Sequence, residues 1–277
     1  MTSIKANELP IVAKYVYDIS GISLDSSKAY LLEARLSPLL KQYDCAHFVA
    51  LLTIAKNDKK GEINNQIIDA ISTNETLFFR DKSPFELLKN KLLPDIIKTK
   101  GNLSPPRIRI WSAASSTGQE LYSIAITARE LLGPQRSKNI SLLGTDISPK
   151  AVARASYGEY NKFEIERGLD NKNLRGFFEQ KERDWKIKDE IRSMVQFKKF
   201  NLMDSFSGLG TFDIIFCRNV AIYFSLADRK LLFSKMEKAL NENGILILGS
   251  TESLTGISTG FDVQRQLNCT YYQKKKK

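Results

Sequence analysis

Apolar residues in the middle of the chain predict a buried strand followed by a helix. A short apolar run at 108–111 stops at small and polar residues, and a second apolar pattern begins at Leu121 with steps of three and four residues. Such steps are typical of an amphipathic helix. In alternating α/β proteins, small side chains at a strand-to-helix junction let backbone N–H groups approach a nucleotide-like ligand. The stretch 108–132 therefore predicts a ligand site.

The alternation of strands and helices continues towards the C-terminus. Further strands are predicted at 140–145, 195–200, 212–217 and 244–249, and an antiparallel pair at 261–267 and 270–273. Asp146 follows the first of these strands, where a carboxylate could accept the ribose hydroxyls of an adenosine or could instead cap the next helix. Ser148 and Pro149 mark the start of that helix. The pattern predicts an α/β core with right-handed crossovers.

Residues 1–72 show only helical spacing, which predicts a small all-helical unit. Its first helix is expected to end near Gly21, and its second to bury Tyr30. The second helix is also expected to be kinked or split at Pro38, because proline lacks the N–H that a helix interior uses.

Residues 73–83 are expected to connect this unit to the α/β core. Polar residues at 73–80 run into two aromatic side chains and an arginine, so the segment is either a plain connector or a lid that hydrogen-bonds a ligand. Ser83, Pro84 and Glu86 then predict a helix start, with Ser83 as N-cap and Pro84 at the first helical position.

A charged segment at about 170–196 predicts a small inserted β-subdomain, because bare loops of this length are uncommon in compact domains. A helix is expected from residue 171. Short strands are expected at 185–188 and at 191–194.

Composition narrows the classes of protein. A chain of 277 residues with 42% hydrophobic residues can bury a large core. Its apolar runs are shorter than the ~18 residues of a membrane-spanning helix, and its N-terminus lacks the apolar core of a secretory signal, so a cytoplasmic protein is expected. Three separated cysteines without CxxC spacing and a single histidine, His47, predict neither a metal site nor a disulfide framework.

The net charge of +11, part of which comes from the four lysines at 274–277, indicates either an anionic partner or a generally basic surface. The second helix presents Lys28, Arg35 and Lys41. These three side chains form either an ordinary solvated face or a docking surface for an acidic helix.

Six sequence blocks together resemble one family, the chemotaxis receptor methyltransferases (the CheR family). The blocks are 73–80 (TNETLFFR), 111–125, 144–147 (GTDI), 201–202 (NL), 212–224 (FDIIFCRNVAIYF) and 249–254 (GSTESL). The resemblance implies a helical receptor-docking domain at 1–72 and a linker or lid at 73–83. It further implies a class I, Rossmann-like S-adenosylmethionine-dependent methyltransferase domain at 84–277, with the small β-subdomain inserted.

The resemblance also implies an activity. Such an enzyme transfers a methyl group from S-adenosylmethionine to specific glutamates on the acidic helices of the chemoreceptor cytoplasmic bundle, leaving S-adenosylhomocysteine. We expect a monomer in the cytoplasm that is recruited to membrane receptor arrays, without inserting into the membrane or binding nucleic acid.

The family's cofactor contacts fall on nine positions of this chain. They are Asn74, Thr76, Arg80, Glu120, Asp146, Asn201, Leu202, Arg218 and Asn219. The resemblance implies that Glu120 meets the methionine ammonium group and Asp146 the ribose. Asn201 and Leu202 are implied to contact the adenine.

Two residues are implied to be catalytic. Arg80 and Tyr223 would lie near the transferred methyl group and the substrate carboxylate. Either Arg80 or Arg218 could orient that carboxylate, and the alternative role of Tyr223 is core packing with its hydroxyl at the rim.

The chain departs from the family pattern at three places. Gln119 replaces an acidic residue, and Ala221 replaces a larger apolar one. The segment 180–185 is short and lacks the glycines of members that bind a receptor's C-terminal pentapeptide. We therefore expect an enzyme that needs no such tether.

Other functions remain open on the sequence alone. The positive charge is compatible with a methyltransferase that acts on RNA or on another signalling protein. A non-catalytic adaptor that keeps the cofactor is a further alternative. A nicotinamide-dependent oxidoreductase is disfavoured because the first loop lacks the GxGxxG pattern.

Overall fold

The computed structural model describes residues 3–100 and 107–276 of the chain. The helices are α1 (Leu9–Ser20), α2 (Ala29–Gln42), α3 (Phe48–Asn57), α4 (Glu62–Ile71), α5 (Ser83–Leu87), α6 (Leu93–Lys100), α7 (Gln119–Arg136), α8 (Pro149–Tyr157), α9 (Lys162–Glu166), α10 (Asn171–Phe177), α11 (Asp189–Arg192) and α12 (Leu226–Ala239). The strands are β1 (Ile108–Ala113), β2 (Ile140–Asp146), β3 (Glu159–Asn161), β4 (Phe178–Lys181), β5 (Asp184–Ile187), β6 (Val195–Lys199), β7 (Phe212–Cys217), β8 (Leu240–Leu248), β9 (Phe261–Gln266) and β10 (Cys269–Lys274).

The first four helices pack around their own apolar core, as the spacing predicts. Helix α1 ends at Ser20, and the following residue, Gly21, has a φ of +76°, the left-handed conformation that favours glycine at a helix end. Of the two outcomes expected at Pro38, a kink or a split, the split is wrong, because α2 continues through Pro38. The expected burial of Tyr30 is also wrong: its side chain is 66% exposed, and Leu32 is buried instead. Packing of one helical face thus outweighs the local cost of the proline.

Seven strands form the main sheet, in the order β6-β2-β1-β7-β8-β10-β9. The first five run parallel, and β9 and β10 add an antiparallel pair at one edge, so the predicted alternation is confirmed. Ile214 packs on one face of the sheet and Ile215 on the other, because successive side chains of a strand point to opposite faces. The carboxyl ends of the parallel strands therefore meet along one edge.

A separate antiparallel sheet, in the order β3-β5-β4, forms the inserted subdomain. This sheet begins at Glu159, earlier in the chain than the predicted start of the subdomain at about residue 170. The prediction of a strand at 191–194 is wrong, because Asp189–Arg192 form the single helical turn α11. This turn buries Ile191 while Arg129 of α7 donates a hydrogen bond to the Glu190 carbonyl.

Helix α5 begins differently from the sequence expectation. Ser83 is its first helical residue and Lys82 its N-cap, without a side-chain cap, so the prediction of Ser83 as N-cap is wrong. The turn before the helix explains the shift: Phe79, Asp81 and Lys82 all have positive φ, and the chain therefore enters the helix one residue earlier. A π-helical turn, Leu88–Leu92, joins α5 to α6.

The helical unit lies against the carboxyl edge of the main sheet. Ser148 Oγ donates a hydrogen bond of 2.6 Å to Asp69 of α4, and the backbone N–H of Ser23 donates one of 2.9 Å to the Tyr223 carbonyl. None of the described helices combines the length and apolar composition that crossing a membrane requires.

Candidate functional site

A cavity of about 920 Å³, open mouth included, lies at the carboxyl edge of the main sheet. Its walls come from residues 72–76 and Arg80, the loops after β1, β2, β6 and β7, the start of α7 and the end of α1. The structure brings together in this cavity the predicted residues Asn74, Thr76, Arg80, Glu120, Asp146, Asn201, Leu202, Arg218, Asn219 and Tyr223. Positions far apart in sequence thus converge where the strand order places a ligand crevice.

The loop after β1 shapes the floor of the cavity. Ala114 and Ser116 adopt positive φ, and Gly118 precedes α7 with a φ of +95°. A Cβ on Gly118 would also lie 3.0 Å from atoms of Ala155 and Phe197. Small side chains are needed here because the backbone turns tightly beneath the cavity.

Asp146 is the last residue of β2 rather than the residue after it. Its carboxylate accepts hydrogen bonds from the backbone N–H of Ser116 at 2.8 Å and of Ser148 at 3.0 Å. Burial raises the pKa of Asp146, while those two N–H groups oppose the rise. Ser148, not Asp146, caps α8, because its hydroxyl accepts from the Ala151 N–H. Asp146 is thus left to line the cavity.

Arg218 is the centre of a buried ionic network. Its side chain is 1% exposed, and it binds Glu120 at 2.9 Å and Asp81 at 2.7 Å. It also donates to the Arg80 carbonyl at 2.8 Å. Because both terminal nitrogens are engaged, Arg218 ties the connector to α7. The second oxygen of Glu120 accepts from the Ser112 hydroxyl at 2.9 Å.

Arg80 and Tyr223 are less constrained than Arg218. Arg80 Nη1 makes a hydrogen bond of 3.3 Å to the Glu75 carbonyl. Tyr223 is half-buried at the end of the 3₁₀ turn Ala221–Tyr223 and lines the cavity. Both side chains therefore lie where a substrate group entering the cavity could meet them.

Asn201 and Leu202 follow β6. Asn201 Oδ1 accepts from the Met203 N–H at 2.9 Å, and Asn201 Nδ2 donates to the Ile19 carbonyl of α1 at 3.2 Å. Leu202 is buried beside them. The Asn201 amide thereby holds the helical unit against this wall of the cavity.

The three basic residues of the helical unit differ in their surroundings. Lys28 and Lys41 are exposed. Arg35 is half-buried and donates to the Ile71 carbonyl and, at 2.9 Å, to the Thr73 hydroxyl. Arg35 therefore binds the connector, and the exposed basic surface is smaller than the sequence pattern indicates.

Sequence reasoning missed several residues of the site. Ser115 Oγ lines the cavity, is buried and has no hydrogen-bond partner within the described part of the chain. Ser20 and Ile22 also line the cavity, and Glu252 holds the loop that contains Asn219. The small-residue loop was a signal for Ser115, and the block 249–254 was one for Glu252. No local signal points to Ser20 or Ile22, since only docking of the helical unit places them here.

The cavity fits an adenosine-containing, zwitterionic ligand. Asp146 offers carboxylate oxygens for ribose hydroxyls, and Glu120 offers negative charge for an ammonium group. The orphaned Ser115 hydroxyl is a buried donor that a ligand could satisfy.

Comparison with known proteins agrees with this geometry. The description "CheR methyltransferase, all-alpha domain" matches residues 7–72, and "CheR methyltransferase, SAM binding domain" matches residues 74–270. Chemotaxis protein methyltransferase Cher2 of Pseudomonas putida is 39% identical over 260 residues, covering 92% of this chain and 93% of that protein. A chemotaxis protein methyltransferase of Vibrio parahaemolyticus is 41% identical over 256 residues, covering 91% of each.

A less similar chemotaxis methyltransferase also matches this chain over most of its length. The chemotaxis protein methyltransferase of Borreliella burgdorferi is 36% identical over 259 residues, covering 92% of this chain and 90% of that protein. The two matched family domains together extend across the helical unit and the α/β core. The chain therefore belongs to the CheR family and is an S-adenosylmethionine-dependent methyltransferase of chemotaxis.

Proposed function

We propose that this enzyme methylates the γ-carboxylate of specific glutamates on chemoreceptor signalling helices, producing glutamate methyl esters. The observation that carries the proposal is the contrast between the two arginines of the cavity. Arg218 has both terminal nitrogens engaged by Glu120, Asp81 and the Arg80 carbonyl, whereas the Arg80 side chain makes one long hydrogen bond among the described residues. Arg80 is thus available to orient an incoming carboxylate.

The residues of the cavity divide between the two substrates. We assign Asp146 to the ribose and Glu120 to the methionine ammonium group. Leu202 and the backbone of Asn201 are assigned to the adenine, because the Asn201 amide is already bonded at both ends. Further contacts of the cofactor and of its product, S-adenosylhomocysteine, are assigned to Asn74, Thr76, Arg80, Arg218 and Asn219. The mouth of the cavity, with Arg80 and Tyr223, is assigned to the acceptor.

The proposed chemistry requires positioning rather than acid–base catalysis. A glutamate side chain has an ordinary pKa of about 4.3 and is already an anionic nucleophile at neutral pH. S-adenosylmethionine supplies a methyl group on a positively charged sulfur, so the carboxylate oxygen bonds to the methyl carbon as the C–S pair returns to sulfur. Arg80 and Tyr223 orient the carboxylate, and the connector excludes water. Such positioning can supply ~7–11 kcal/mol.

We also propose that the enzyme works without a receptor tether. The β4–β5 hairpin turns at Glu182 and Arg183, and Glu182 has a φ of +50° where a glycine would be unstrained. Calorimetry with a receptor C-terminal pentapeptide should show no binding at micromolar concentration. Micromolar affinity would overturn this part of the proposal.

For recruitment to receptor arrays, we propose that the exposed Lys28 and Lys41 attract the acidic receptor helices. Opposite charge raises the rate of encounter and makes it sensitive to salt. We expect the enzyme to act as a monomer in this encounter.

The direct test is incubation of the enzyme with radiolabelled methyl donor and a receptor cytoplasmic fragment. Base-labile label should appear on the fragment and should be lost in Asp146→Ala and Arg80→Ala. Label on RNA and none on any receptor fragment would refute the proposal and would favour the RNA methyltransferase alternative.

A further inference from the structure

Glu252 lies in the turn after β8, and its carboxylate accepts three backbone hydrogen bonds. Oε2 accepts from the N–H of Asn219 at 2.6 Å and of Gly249 at 2.9 Å, and Oε1 accepts from the N–H of Ala221 at 3.0 Å. Asn219 and Ala221 belong to the segment after β7, whereas Gly249 is the first residue after β8. The single carboxylate therefore joins two neighbouring strand ends at the edge of the cavity.

The loop that Glu252 holds has an unusual backbone. Asn219 adopts a φ of +58°, in the left-handed region that asparagine tolerates better than most other residues with a Cβ. A Cβ at Gly249 would lie 2.7 Å from both Asn219 Nδ2 and Glu252 Oε2. The turn at Asn219 therefore packs closely against position 249, where there is no side chain, and the Glu252 carboxylate holds the two segments together.

The three backbone N–H groups that point at residue 252 require a side chain with two acceptor oxygens. A carboxylate has acceptors only, so both of its oxygens can face backbone N–H groups. An amide of the same size would turn an N–H towards one of these donors and lose at least one bond. Charge-assisted hydrogen bonds of this kind are also stronger than neutral ones.

We propose that Glu252 is a positioning residue of the methyltransferase site. Asn219 and Tyr223 line the cavity, and Glu252 does not; it acts by fixing the loop that carries them. The inference rests on the proposed function only in assigning Asn219 to the methyl donor and Tyr223 to the acceptor.

The test compares Glu252→Gln and Glu252→Asp with the wild-type enzyme. The control is Glu242→Gln, which changes an exposed glutamate in β8. Calorimetry measures the affinity for S-adenosylhomocysteine, steady-state kinetics measures kcat and the KM of the methyl donor, and a thermal melt measures folding. Because the first measurement needs no acceptor, it remains decisive even if chemoreceptor glutamates are not the substrate.

Glu252→Gln should weaken binding of S-adenosylhomocysteine by roughly 10-fold, because ligand binding must then order a loop that has lost about one charge-assisted hydrogen bond. Its kcat should also fall, and Glu252→Asp should restore part of both because it keeps the charge. Gly249→Ala, which crowds the same contact from the other side, should act in the same direction. Wild-type affinity and kcat in Glu252→Gln would overturn the inference. The inference would also be overturned if Glu252→Gln and Glu252→Asp lost equal affinity and kcat in proportion to their fall in melting temperature. That result would show that Glu252 contributes only to folding stability.

Discussion

Replacing Arg218 by methionine should destabilise the enzyme and loosen the connector. Arg218 is almost fully buried and is bound to Glu120 and Asp81. Methionine keeps most of the apolar volume but leaves two carboxylates without their partner. Removing one member of a buried ion pair costs about 3–5 kcal/mol, mainly because the remaining charge stays buried.

The solvent exposure of Glu120 and Asp81 determines how much stability the Arg218→Met enzyme should lose. The Glu120 side chain is 12% exposed, but the Asp81 side chain is 35% exposed and water partly compensates its charge. We therefore expect Arg218→Met to lower the free energy of unfolding by about 3 kcal/mol, the lower end of that range. At about 2–4 °C per kcal/mol for a domain of this size, the melting temperature should fall by about 6–12 °C.

A thermal melt and limited proteolysis measure the two effects. Trypsin should cut after Arg80 or Lys82 faster in Arg218→Met than in the wild type, because the connector loses its anchor. Arg265→Met, an exposed position on the edge strand β9, is the matched control and should melt within about 1 °C of the wild type. An Arg218→Met enzyme that matches this control in both assays would refute the assignment of Arg218 as the anchor.

Three further predictions concern the cavity and its approach. Ser115→Ala should weaken S-adenosylhomocysteine binding in calorimetry by roughly 3- to 10-fold, the loss of a neutral hydrogen bond, and unchanged affinity would contradict a role for this buried hydroxyl. Because burial raises the pKa of Asp146, this side chain takes up a proton at higher pH than an ordinary aspartate; donor affinity should fall as the pH drops through that raised pKa, and Asp146→Asn should remove this dependence. Arg35→Ala should raise the KM of the methyl donor by loosening the connector, whereas Lys41→Ala should raise only the KM of an acidic acceptor and only at low salt; identical behaviour of the two variants would refute the distinction.

Local patterns were sufficient for the elements of the α/β core. The strand predicted at 212–217 is β7, and the helix expected after Ser148 begins with that serine as its cap. Both depend on nearby residues: strand burial follows from a continuous apolar run, and a cap follows from one hydroxyl and the N–H three residues later.

Local patterns failed where distant groups decide the conformation. The segment after Ile187 forms a helical turn because it packs against α7, and Ser83 is displaced from the cap position by the strained turn before it. The ion pairs of Arg218 join residues that are 98 and 137 positions away along the chain. No spacing rule within one element predicts such pairs.

The sequence by itself determined the alternation of strands and helices in the α/β core, the family, and the ten predicted residues that line the cavity, but not Ser20 or Ile22. Those features are encoded in local periodicity and in short motifs. Only the tertiary structure decided how the residues are used: Arg218 is an internal anchor, Arg35 holds the connector, and Glu252 supports Asn219. The physical reason is that hydrogen bonds and ion pairs depend on distances across the fold, which are set when the helical unit and the parallel strands pack together.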